Sequence, residues 1–532
     1  MEEDGAMKAP AMHLEDATSR ETTVDPAEMT LWKNLRKNPK VAAYCFGLTS
    51  VILLWGYDLA MTSNLSSLPE FQKVYGVYRE SDDKWIIESR WLGAWNAGSP
   101  IGIMLGSLAG GALQDRWGRR FSLGFGSLSS VLGVAVVWCS QYAGGGRHGI
   151  YMLGKICQGF TIGIAVCTAQ TYMSEVLPPA IRAPVVAFFP VFQLIGQLIS
   201  AAIALTAEDI EGPDSYRICI ISEWPFSALP LILSLIIPES PIYLVRKGRL
   251  EDARKQQKRL DKAGVDSNAK IERIQALILH EQEAAQSDDS RYMDCWKGTD
   301  RRRTVIVLFA AILPQLFGLP VLGDGSYFLQ IAGMKARNSL IFLISGVLGG
   351  LIANLISMWL MTRTGRRRLM IATLAPLVAL WLVLGVVGCF ESDTSPWVAG
   401  VDLNVITFVA GLGVWPASYV VGGEISSLRL RAKSQGLGWA FGGIGNFVFS
   451  TVVPFIYNSD AGNLRSKIGF VWLGICALTF VAVWFLIPET YARTPYQLDL
   501  MFEQKLPTRK FRHWVPEANN DIDRIEVRDE KA

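Results

Sequence analysis

The sequence has few of the residues that metal centres and disulfide frameworks require. It contains four histidines and eight cysteines in 532 residues. Seven of the cysteines lie in apolar stretches, and neither a CxxC pair nor a histidine cluster occurs. The glycine-rich loop that binds nucleoside triphosphates is also missing, and no arrangement typical of a catalytic site is found. We therefore expect neither an enzyme nor a bound cofactor or metal.

Charged residues are scarce as well, at 19% of the chain, whereas half of all residues are hydrophobic. The formal net charge of +3 gives no reason to expect a nucleic-acid partner. The apolar residues cluster in stretches long enough to cross a bilayer core of roughly 30 Å, which takes about 20 helical residues. These stretches predict an all-α membrane protein embedded in a lipid bilayer. There are twelve of them: 41–64, 90–112, 121–140, 149–173, 183–207, 217–237, 304–334, 338–361, 368–389, 398–424, 433–457 and 466–487.

The polar segments divide the chain into five regions. Residues 1–40 form an acidic tail without the apolar core of a signal peptide, and we expect this tail to be disordered. The N-terminal bundle (41–237) and the C-terminal bundle (304–487) are separated by a central loop (238–303) whose pattern predicts short polar helices. A second tail (488–532) follows.

Lys and Arg are distributed unequally between the two sides of the apolar stretches. Fifteen lie on the side of the N-terminal tail and the central loop, and ten lie on the other side. Positive charge accumulates on the cytoplasmic side of membrane proteins. Both termini and the central loop are therefore expected to be cytoplasmic.

The sequence contains an internal repeat. The motif GALQDRWGRR at 111–120 returns in part as MTRTGRRR at 361–368, an offset of 247 residues. Glu175 and Glu424 follow in the same order, 249 residues apart, and each precedes an arginine by seven positions. PES after the sixth stretch and PET after the twelfth are 250 residues apart. The chain is thus predicted to use a six-helix unit twice, and two such halves can rock about a central site.

The repeated basic motifs predict ion pairs at a cytoplasmic gate, because guanidinium groups bind carboxylates through two parallel hydrogen bonds. An alternative is that these arginines only set the topology. The candidate gate residues are Asp115, Arg116, Gly118, Arg119, Arg120, Glu175, Arg182, Glu239, Arg363, Gly365, Arg366, Arg367, Glu424, Arg431 and Glu489.

Seven motifs follow one another along residues 41–503. They are GYD (56–58), GALQDRWGRR (111–120), YMSEVLPPAIRAP (172–184), PESPIYLVRKGR (238–249), GDGSYFLQIAGM (323–334), VGGEISSLRLRAK (421–433) and PETYARTPYQLDLMFE (488–503). Together they resemble the sugar porters of the major facilitator superfamily, and within them the fungal maltose and hexose-type permeases. The resemblance implies twelve transmembrane helices in two pseudo-symmetric six-helix bundles, a plasma-membrane location and a monomeric carrier.

The sequence departs from the pattern of these permeases at several positions. Thr362 stands where the second copy of the basic motif is expected to have an acid, which predicts a weaker ion-pair network in the second half. Lys155 replaces an arginine of the fourth helix, and it lacks the planar fork of a guanidinium. The seventh-helix motif keeps one glutamine, Gln315, but has Pro320 in the place of an asparagine. Trp415 replaces a small glycine, so the pocket is expected to differ from that of an ordinary sugar carrier.

Asp58 lies within an apolar stretch, where an ionisable side chain is costly and functional by default. The resemblance implies that this acid accepts the coupling proton. Pairing with Lys155 would favour the charged form of the carboxylate, and protonation would release the pair. The alternatives are a structural charge pair and an acid near water at a helix end.

Candidate substrate contacts come from both halves. Gln193 and Gln197 are four residues apart and share one helix face, where their amides can bind sugar hydroxyls; the alternative is polar contact between membrane helices. The resemblance assigns Gln197 to a sugar-binding position, whereas Pro190 occupies the place of another glutamine. The second half offers amides and flat aromatic faces from Gln315, Tyr327, Tyr419, Trp439 and Asn446.

The sequence NLS at 64–66 matches the glycosylation pattern, which makes Asn64 a candidate acceptor. It lies at the predicted end of a membrane span. We therefore record it as a candidate modification site only.

These features predict a secondary transporter that moves a hexose or an α-glucoside by alternating access. Any uphill transport would use an ion gradient, with proton symport and facilitated diffusion both open. One alternative is an exporter of a secondary metabolite on the same fold. Another is a sugar sensor without transport, although the C-terminal tail of about 45 residues is short for signalling.

Overall fold

The computed structural model describes most of the chain. The described residues are 39–80, 84–177, 189–262, 266–287, 292–361, 363–390, 392–426, 430–491, 493 and 495–514. The candidate gate residue Arg182 and the substituted Thr362 lie outside these residues, as does the side chain of Arg431.

The first half consists of long helices, with a short helix and a two-stranded antiparallel hairpin between the first two of them. Its elements are α1 (Pro39–Ser66), α2 (Pro69–Tyr75), β1 (Val77–Arg79), β2 (Lys84–Ile86), α3 (Ser89–Trp117), α4 (Arg119–Cys139), α5 (Arg147–Val176), α6 (Phe189–Glu208), α7 (Asp214–Ile221) and α8 (Glu223–Ile236). Short 3-10 turns at Ser140–Tyr142 and Gly144–Gly146 connect α4 to α5.

The central loop forms three helices: α9 (Pro241–Arg246), α10 (Leu250–Leu260) and α11 (Ser267–Ser287). Pro241 begins α9, and the Ser240 hydroxyl caps this helix by accepting a hydrogen bond from the Tyr243 backbone N–H at 3.3 Å. Lys40 of α1 donates to the carbonyl of Asp261 at 3.0 Å, which holds these helices against the base of the first half.

The second half repeats the arrangement of long helices. Its elements are α12 (Gly298–Leu316), α13 (Leu319–Gly323), α14 (Gly325–Ile331), α15 (Ala336–Met361), α16 (Arg366–Val387), α17 (Ser395–Leu412), α18 (Val414–Ile425), α19 (Arg431–Tyr457), α20 (Ile468–Leu486) and α21 (Pro495–Glu503). Further 3-10 turns lie at Tyr292–Trp296, Arg465–Lys467 and Thr508–His513.

The number and type of spans agree with the sequence prediction. Among the described residues, 11 helical segments are long and apolar enough to cross a membrane. The twelfth long helix is α3, which is rich in glycine and therefore less hydrophobic. Its Gly102 and Gly106 lie directly against the backbone of α5, so small residues permit a close crossing that larger ones would block. The predicted all-α class with twelve spans is confirmed.

Three of the predicted spans are interrupted, which the sequence analysis did not foresee. One span divides into α7 and α8 at Ser222, and another divides into α17 and α18 at Gly413. The seventh span breaks after α12, where Gly318 has a φ of +109° and Pro320 is the second residue of α13. The left-handed Gly318 ends α12, and Pro320 is tolerated in the first turn of the next helix because a backbone N–H there needs no partner within the helix.

The two halves meet along two helix pairs. Helix α3 packs against α19, and α6 packs against α15. Within each half the helices pack on one another, with α5 against α3 and α4, and α16 against α20. The end of α3, with Arg116, and the start of α16, with Arg366, lie at what we call the basic end, and the hairpin lies at the opposite end.

Candidate functional site

Asp58 of α1 and Lys155 of α5 form a fully buried ion pair in the first half. The Ser99 hydroxyl of α3 donates to the second carboxylate oxygen of Asp58 at 2.6 Å. Gly98 makes room for the lysine, since an added Cβ would lie 3.2 Å from that of Lys155. Three helices thus converge on one charged pair inside the membrane-spanning region, where a charge must be paired to be tolerated.

Glu223 adds a second buried carboxylate to this pair. It begins α8 at the interruption after Ser222, and its Oε2 accepts a hydrogen bond from Gln158 Nε2 at 2.8 Å. Its Oε1 has no hydrogen-bond partner within the described ranges. The charge of Glu223 interacts with those of both Asp58 and Lys155. The group therefore holds two acids for one base, an arrangement in which the lysine can exchange partners.

Sequence reasoning missed Glu223, although the signal was present. The residue lies within the predicted span 217–237, as Asp58 lies within 41–64. An acid inside an apolar stretch identified Asp58, and the same argument applies to Glu223.

Gln193 and Gln197 are half-buried on α6, which packs closely on α1. Gly56 lies against the backbone of Gln193, and an added Cβ at Gly196 would lie 2.9 Å from the Tyr57 nitrogen, so two glycines allow the close approach. Both glutamines therefore lie near the helix that carries Asp58.

Asn64 is buried in the same α1–α6 interface. Its Nδ2 donates to the Ser200 hydroxyl at 2.9 Å. A glycan must be attached to this nitrogen in an accessible loop, and the nitrogen lies instead inside the bundle. The structure therefore corrects the expectation that Asn64 is a glycosylation site.

In the second half, Gln315 of α12 lies beside α19. Its Oε1 is buried and accepts no hydrogen bond from the part of the chain that the structure describes, and its Cγ is 3.5 Å from where a Cβ of Gly445 would be. The adjacent Asn446 accepts a hydrogen bond from the Ser450 hydroxyl at 2.9 Å. An unpaired buried amide oxygen is costly unless a ligand or water donates to it.

Tyr419 of α18 and Trp439 of α19 stack, with ring centroids 6.2 Å apart and an interplanar angle of 25°. Both side chains remain exposed. Trp415, by contrast, is buried and lies 6.3 Å from the Phe317 ring. Trp415 therefore fills the core between α12 and α18.

Tyr327, a further predicted substrate contact, is buried in α14 at the opposite end. Its hydroxyl accepts a hydrogen bond from the Ile87 backbone N–H at 3.0 Å, and Asn458 donates to the Ile87 carbonyl at 2.8 Å. These contacts fix the segment before α3, which belongs to the first half, against two elements of the second half. Tyr327 thus joins the halves and does not present its hydroxyl to a pocket.

Other polar contacts close the opposite end along α14. Ser63 and Ser326 hydroxyls are 3.1 Å apart, and Gln72 donates to Gln330 at 2.8 Å. Each contact joins the first half to the second. The side chains of α14 and its neighbours therefore keep the halves together at this end.

Ion pairs at the basic end lie within single halves. Arg119, at the start of α4, binds Glu175 of α5 through two hydrogen bonds of 2.7 and 3.1 Å. Glu239 accepts from the backbone N–H groups of Arg119 and Arg120, at 2.9 and 3.2 Å, and so caps α4. Gly118, with φ of +99°, leaves the space that this carboxylate occupies.

The second half repeats this geometry. Arg366, at the start of α16, binds Glu424 of α18 at 3.0 Å, and the Glu489 carboxylate lies against Gly365. Thr490 donates to the other oxygen of Glu424 at 2.6 Å. The prediction that these acids lie beside the basic motifs agrees with this geometry.

The two ion pairs differ in their exposure to solvent. The side chains of Arg119 and Glu175 are 4% and 10% exposed, whereas those of Arg366 and Glu424 are 18% and 32% exposed. Asp115 is 3.6 Å from Arg119 but is itself exposed, so it adds little. The difference between the halves therefore comes from burial and hydrogen-bond number in the pairs described.

The remaining candidate arginines contact carbonyls and rings. Arg120 donates to the carbonyls of Ser234 and Leu235 near the end of α8, and Arg367 donates to that of Trp484 near the end of α20. Cations favour the carbonyl end of a helix. Arg116 lies over Trp117 at 5.4 Å, and Arg363 lies over Trp359 at 4.6 Å.

Twelve membrane-spanning helices in two repeated halves, with a buried ion pair inside the first half, are the architecture of a membrane transporter. A family model described as sugar (and other) transporter matches residues 43–502. The chain belongs to this family.

Curated relatives cover nearly the whole chain. The MFS transporter fmqE of Aspergillus fumigatus is 27% identical over 496 residues, or 91% of each chain. The maltose permease MAL31 of Saccharomyces cerevisiae is 28% identical over 514 residues, which cover 94% of this chain and 82% of the permease.

Solved structures share the fold. The inward open conformation of the xylose transporter XylE from E. coli superposes with a TM-score of 0.69 at 21% identity, covering 87% of this chain and 99% of XylE. The nucleoside transporter NupG superposes with a TM-score of 0.53 at 12% identity, covering 83% of this chain and 99% of NupG.

Proposed function

We propose that this protein carries a hexose or an α-glucoside across the plasma membrane by proton symport, with Asp58 as the proton acceptor. The observation that carries the proposal is the buried Asp58–Lys155 ion pair with Glu223 beside it. A structural pair needs one acid for one base, whereas a second buried acid gives the lysine an alternative partner when the first is neutralised. Relatives named for maltose and α-glucosides support this choice of substrate class.

Proton binding changes the contacts of Asp58 in a defined way. The proton adds to a carboxylate oxygen, which removes the negative charge that holds the Lys155 ammonium group. Lys155 can then pair with Glu223, and α5 is no longer held to α1 by an ion pair. Proton uptake thus loosens contacts among the helices that carry the substrate glutamines.

The sugar is proposed to bind between the halves, where each half supplies hydrogen-bonding groups. Gln193 and Gln197 contribute amides from α6, and Gln315 and Asn446 contribute them from the second half. The stacked pair of Tyr419 and Trp439 offers a flat surface for the apolar face of a pyranose. Tyr327 is omitted because it joins the halves at the opposite end.

We place the basic end, with both termini, in the cytoplasm, because positive charge accumulates there. The contacts of α14 then close the outer side, and the ion pairs at Arg119 and Arg366 stabilise the inner end of each half. The protein is proposed to act as a monomer, since one chain supplies both halves of the pathway. Residues 41–237 and 304–487 form these halves, with 238–303 as an inner helical domain.

Uptake of labelled glucose and maltose by cells without their own sugar carriers tests the substrate class. The wild type should accumulate at least one of these sugars, and the Gln197→Ala/Gln315→Ala variant should take it up poorly. Glu251→Gln, which changes an exposed acid of α10 outside the gate and the site, serves as the control and should resemble the wild type. Absence of uptake of either sugar by correctly localised wild type would exclude the proposal and favour another cargo.

A further inference from the structure

The segment after α21 is folded against the second half. Phe511 is fully buried, and Arg302 of α12 donates to the Leu506 carbonyl at 2.6 Å and to the Thr508 hydroxyl at 2.9 Å. These contacts anchor the segment at both ends of its 3-10 turn. Its exposed side chains are therefore presented at fixed positions at the basic end.

Two guanidinium groups share the ring of Trp484. Arg367 Cζ lies 5.6 Å from the ring centroid, and Arg509 Cζ lies 5.7 Å from it and 5.4 Å from the Phe485 ring. The Nε of Arg367 is buried and has no hydrogen-bond partner among the described residues, whereas its Nη2 donates to the Trp484 carbonyl at 2.8 Å. Two neighbouring positive charges repel each other, so this arrangement favours a bound anion.

Carboxylates form no ion pair with these cations within the part of the chain that the structure describes. The ion pairs found there include Arg119 and Arg366 but neither Arg367 nor Arg509. Lys510 and Arg512, which follow on the same turn, are exposed and also form no ion pair there. The buried Glu489 carboxylate interacts with Arg367 from a greater distance, so one acid faces several cations and the cluster keeps a net positive charge.

The position of the patch identifies its partner. Trp484 and Phe485 are exposed apolar rings in the last turn of α20, a membrane span. Tryptophan at such a position marks the level of the lipid headgroups, and basic groups between transmembrane helices bind anionic headgroups. We propose that Arg367, Trp484, Phe485 and Arg509 form a headgroup site for one anionic phospholipid, with the phosphate on the guanidinium groups and an acyl chain along Phe485.

Lipid enrichment in defined membranes tests this site. The full-length protein is reconstituted in phosphatidylcholine containing a minor fraction of phosphatidylserine, extracted mildly, and analysed for co-purified lipid by mass spectrometry. The wild type should retain phosphatidylserine preferentially. Arg509→Gln should reduce the enrichment about fivefold, as expected for the loss of one basic residue near an anionic headgroup. Arg367→Gln/Arg509→Gln should abolish it.

The matched control is Lys255→Gln/Lys258→Gln, which removes two exposed cations of α10, outside the proposed site, and should leave the enrichment unchanged. Size-exclusion profiles like that of the wild type show that each variant is folded. Equal enrichment in the Arg367→Gln/Arg509→Gln variant and the wild type would overturn the proposal. Complete displacement of the lipid by inorganic phosphate would also overturn it, because the site would then belong to a soluble anion. Enrichment that appears only after removal of residues 515–532 would overturn it as well, because the acidic residues of the C-terminal tail would then be the natural occupant.

Discussion

Asn96 of α3 donates a hydrogen bond to Asp324, which lies between α13 and α14, across the boundary between the two halves at 2.9 Å. Asp324 is buried, and Phe328 N–H binds its carbonyl as α14 begins. The contact therefore links the interrupted seventh span of the second half to the glycine-rich helix of the first. It joins the serine and glutamine contacts that close this end.

Asn96→Ala should favour opening of this end. A hydrogen bond to a charged group contributes about 1.5–3 kcal/mol, so its loss should shift the equilibrium roughly tenfold. The measurement is the rate at which an impermeant thiol reagent labels Ser63→Cys in a Cys139→Ser/Cys389→Ser background. Asn404→Ala breaks a 2.7 Å hydrogen bond to Ser345 within the second half and is the control. Equal labelling in both variants would contradict a role of Asn96 in closure.

Lys155→Met should destabilise the first half strongly. It leaves Asp58 and Glu223 buried without a cation, and removal of one partner of a buried pair costs about 3–5 kcal/mol. The thermal unfolding temperature in detergent should therefore fall by several degrees. Adding Asp58→Asn and Glu223→Gln to Lys155→Met should restore part of the loss, and no recovery would show that the charges are not the cause.

The two acids should substitute for each other as partners of Lys155. Asp58→Asn and Glu223→Gln, each made alone, leave one carboxylate for the lysine and should lower the unfolding temperature little. The double variant leaves a buried lysine without a counter-charge and should lose more than the sum of the single changes. Additive losses would mean that Glu223 does not interact with the pair.

The ion pairs at the basic end should contribute unequally. Arg119→Ala breaks a buried bidentate pair and should cost about 3 kcal/mol, whereas Arg366→Ala breaks a partly exposed pair and should cost about 1 kcal/mol. Unfolding temperatures of the two variants, measured side by side, provide the comparison. A larger loss for Arg366→Ala would contradict the assignment based on burial.

Substitutions at Trp415 and Gln315 should differ in their effects on stability and on sugar binding. Trp415→Phe should lower stability, because Trp415 is buried beside Phe317, but it should leave the KM for sugar within about twofold of the wild type. Gln315→Ala should raise the KM about tenfold, because it removes a hydrogen bond to the sugar that contributes roughly 1–2 kcal/mol. Initial uptake rates over a range of sugar concentrations decide between the two patterns.

Hydrophobic stretches predicted the twelve spans because a membrane span leaves a long signal in the sequence. That signal averages over about 20 residues, so the interruptions at Ser222, Gly318 and Gly413 did not appear in it. The repeat predicted that Glu175 and Glu424 lie on the same side as the basic motifs, but it did not predict which arginine each carboxylate binds. Burial differs between the copies and depends on neighbouring helices, which spacing does not report.

The rotation of each helix about its axis is what the sequence left open. Asn64, Tyr327 and Trp415 lie on the predicted spans. However, Asn64 faces a helix interface, Tyr327 faces the contacts between the halves, and Trp415 faces the core. Asp58 was identified because a charge within a span is rare whatever its rotation. Glu223 carries the same signal, but the sequence did not show that the span is interrupted at Ser222, which places Glu223 beside Asp58.

Sugar-driven proton movement in liposomes shows whether Asp58 couples sugar transport to protons. The purified protein is reconstituted in liposomes that contain a pH-sensitive dye, and a transported sugar is added outside at about pH 6 without a proton gradient. Proton symport through Asp58 predicts acidification of the lumen by the wild type and by Glu251→Gln, and none by Asp58→Asn. Sugar entry without acidification in the wild type, or equal acidification by Asp58→Asn, would contradict it.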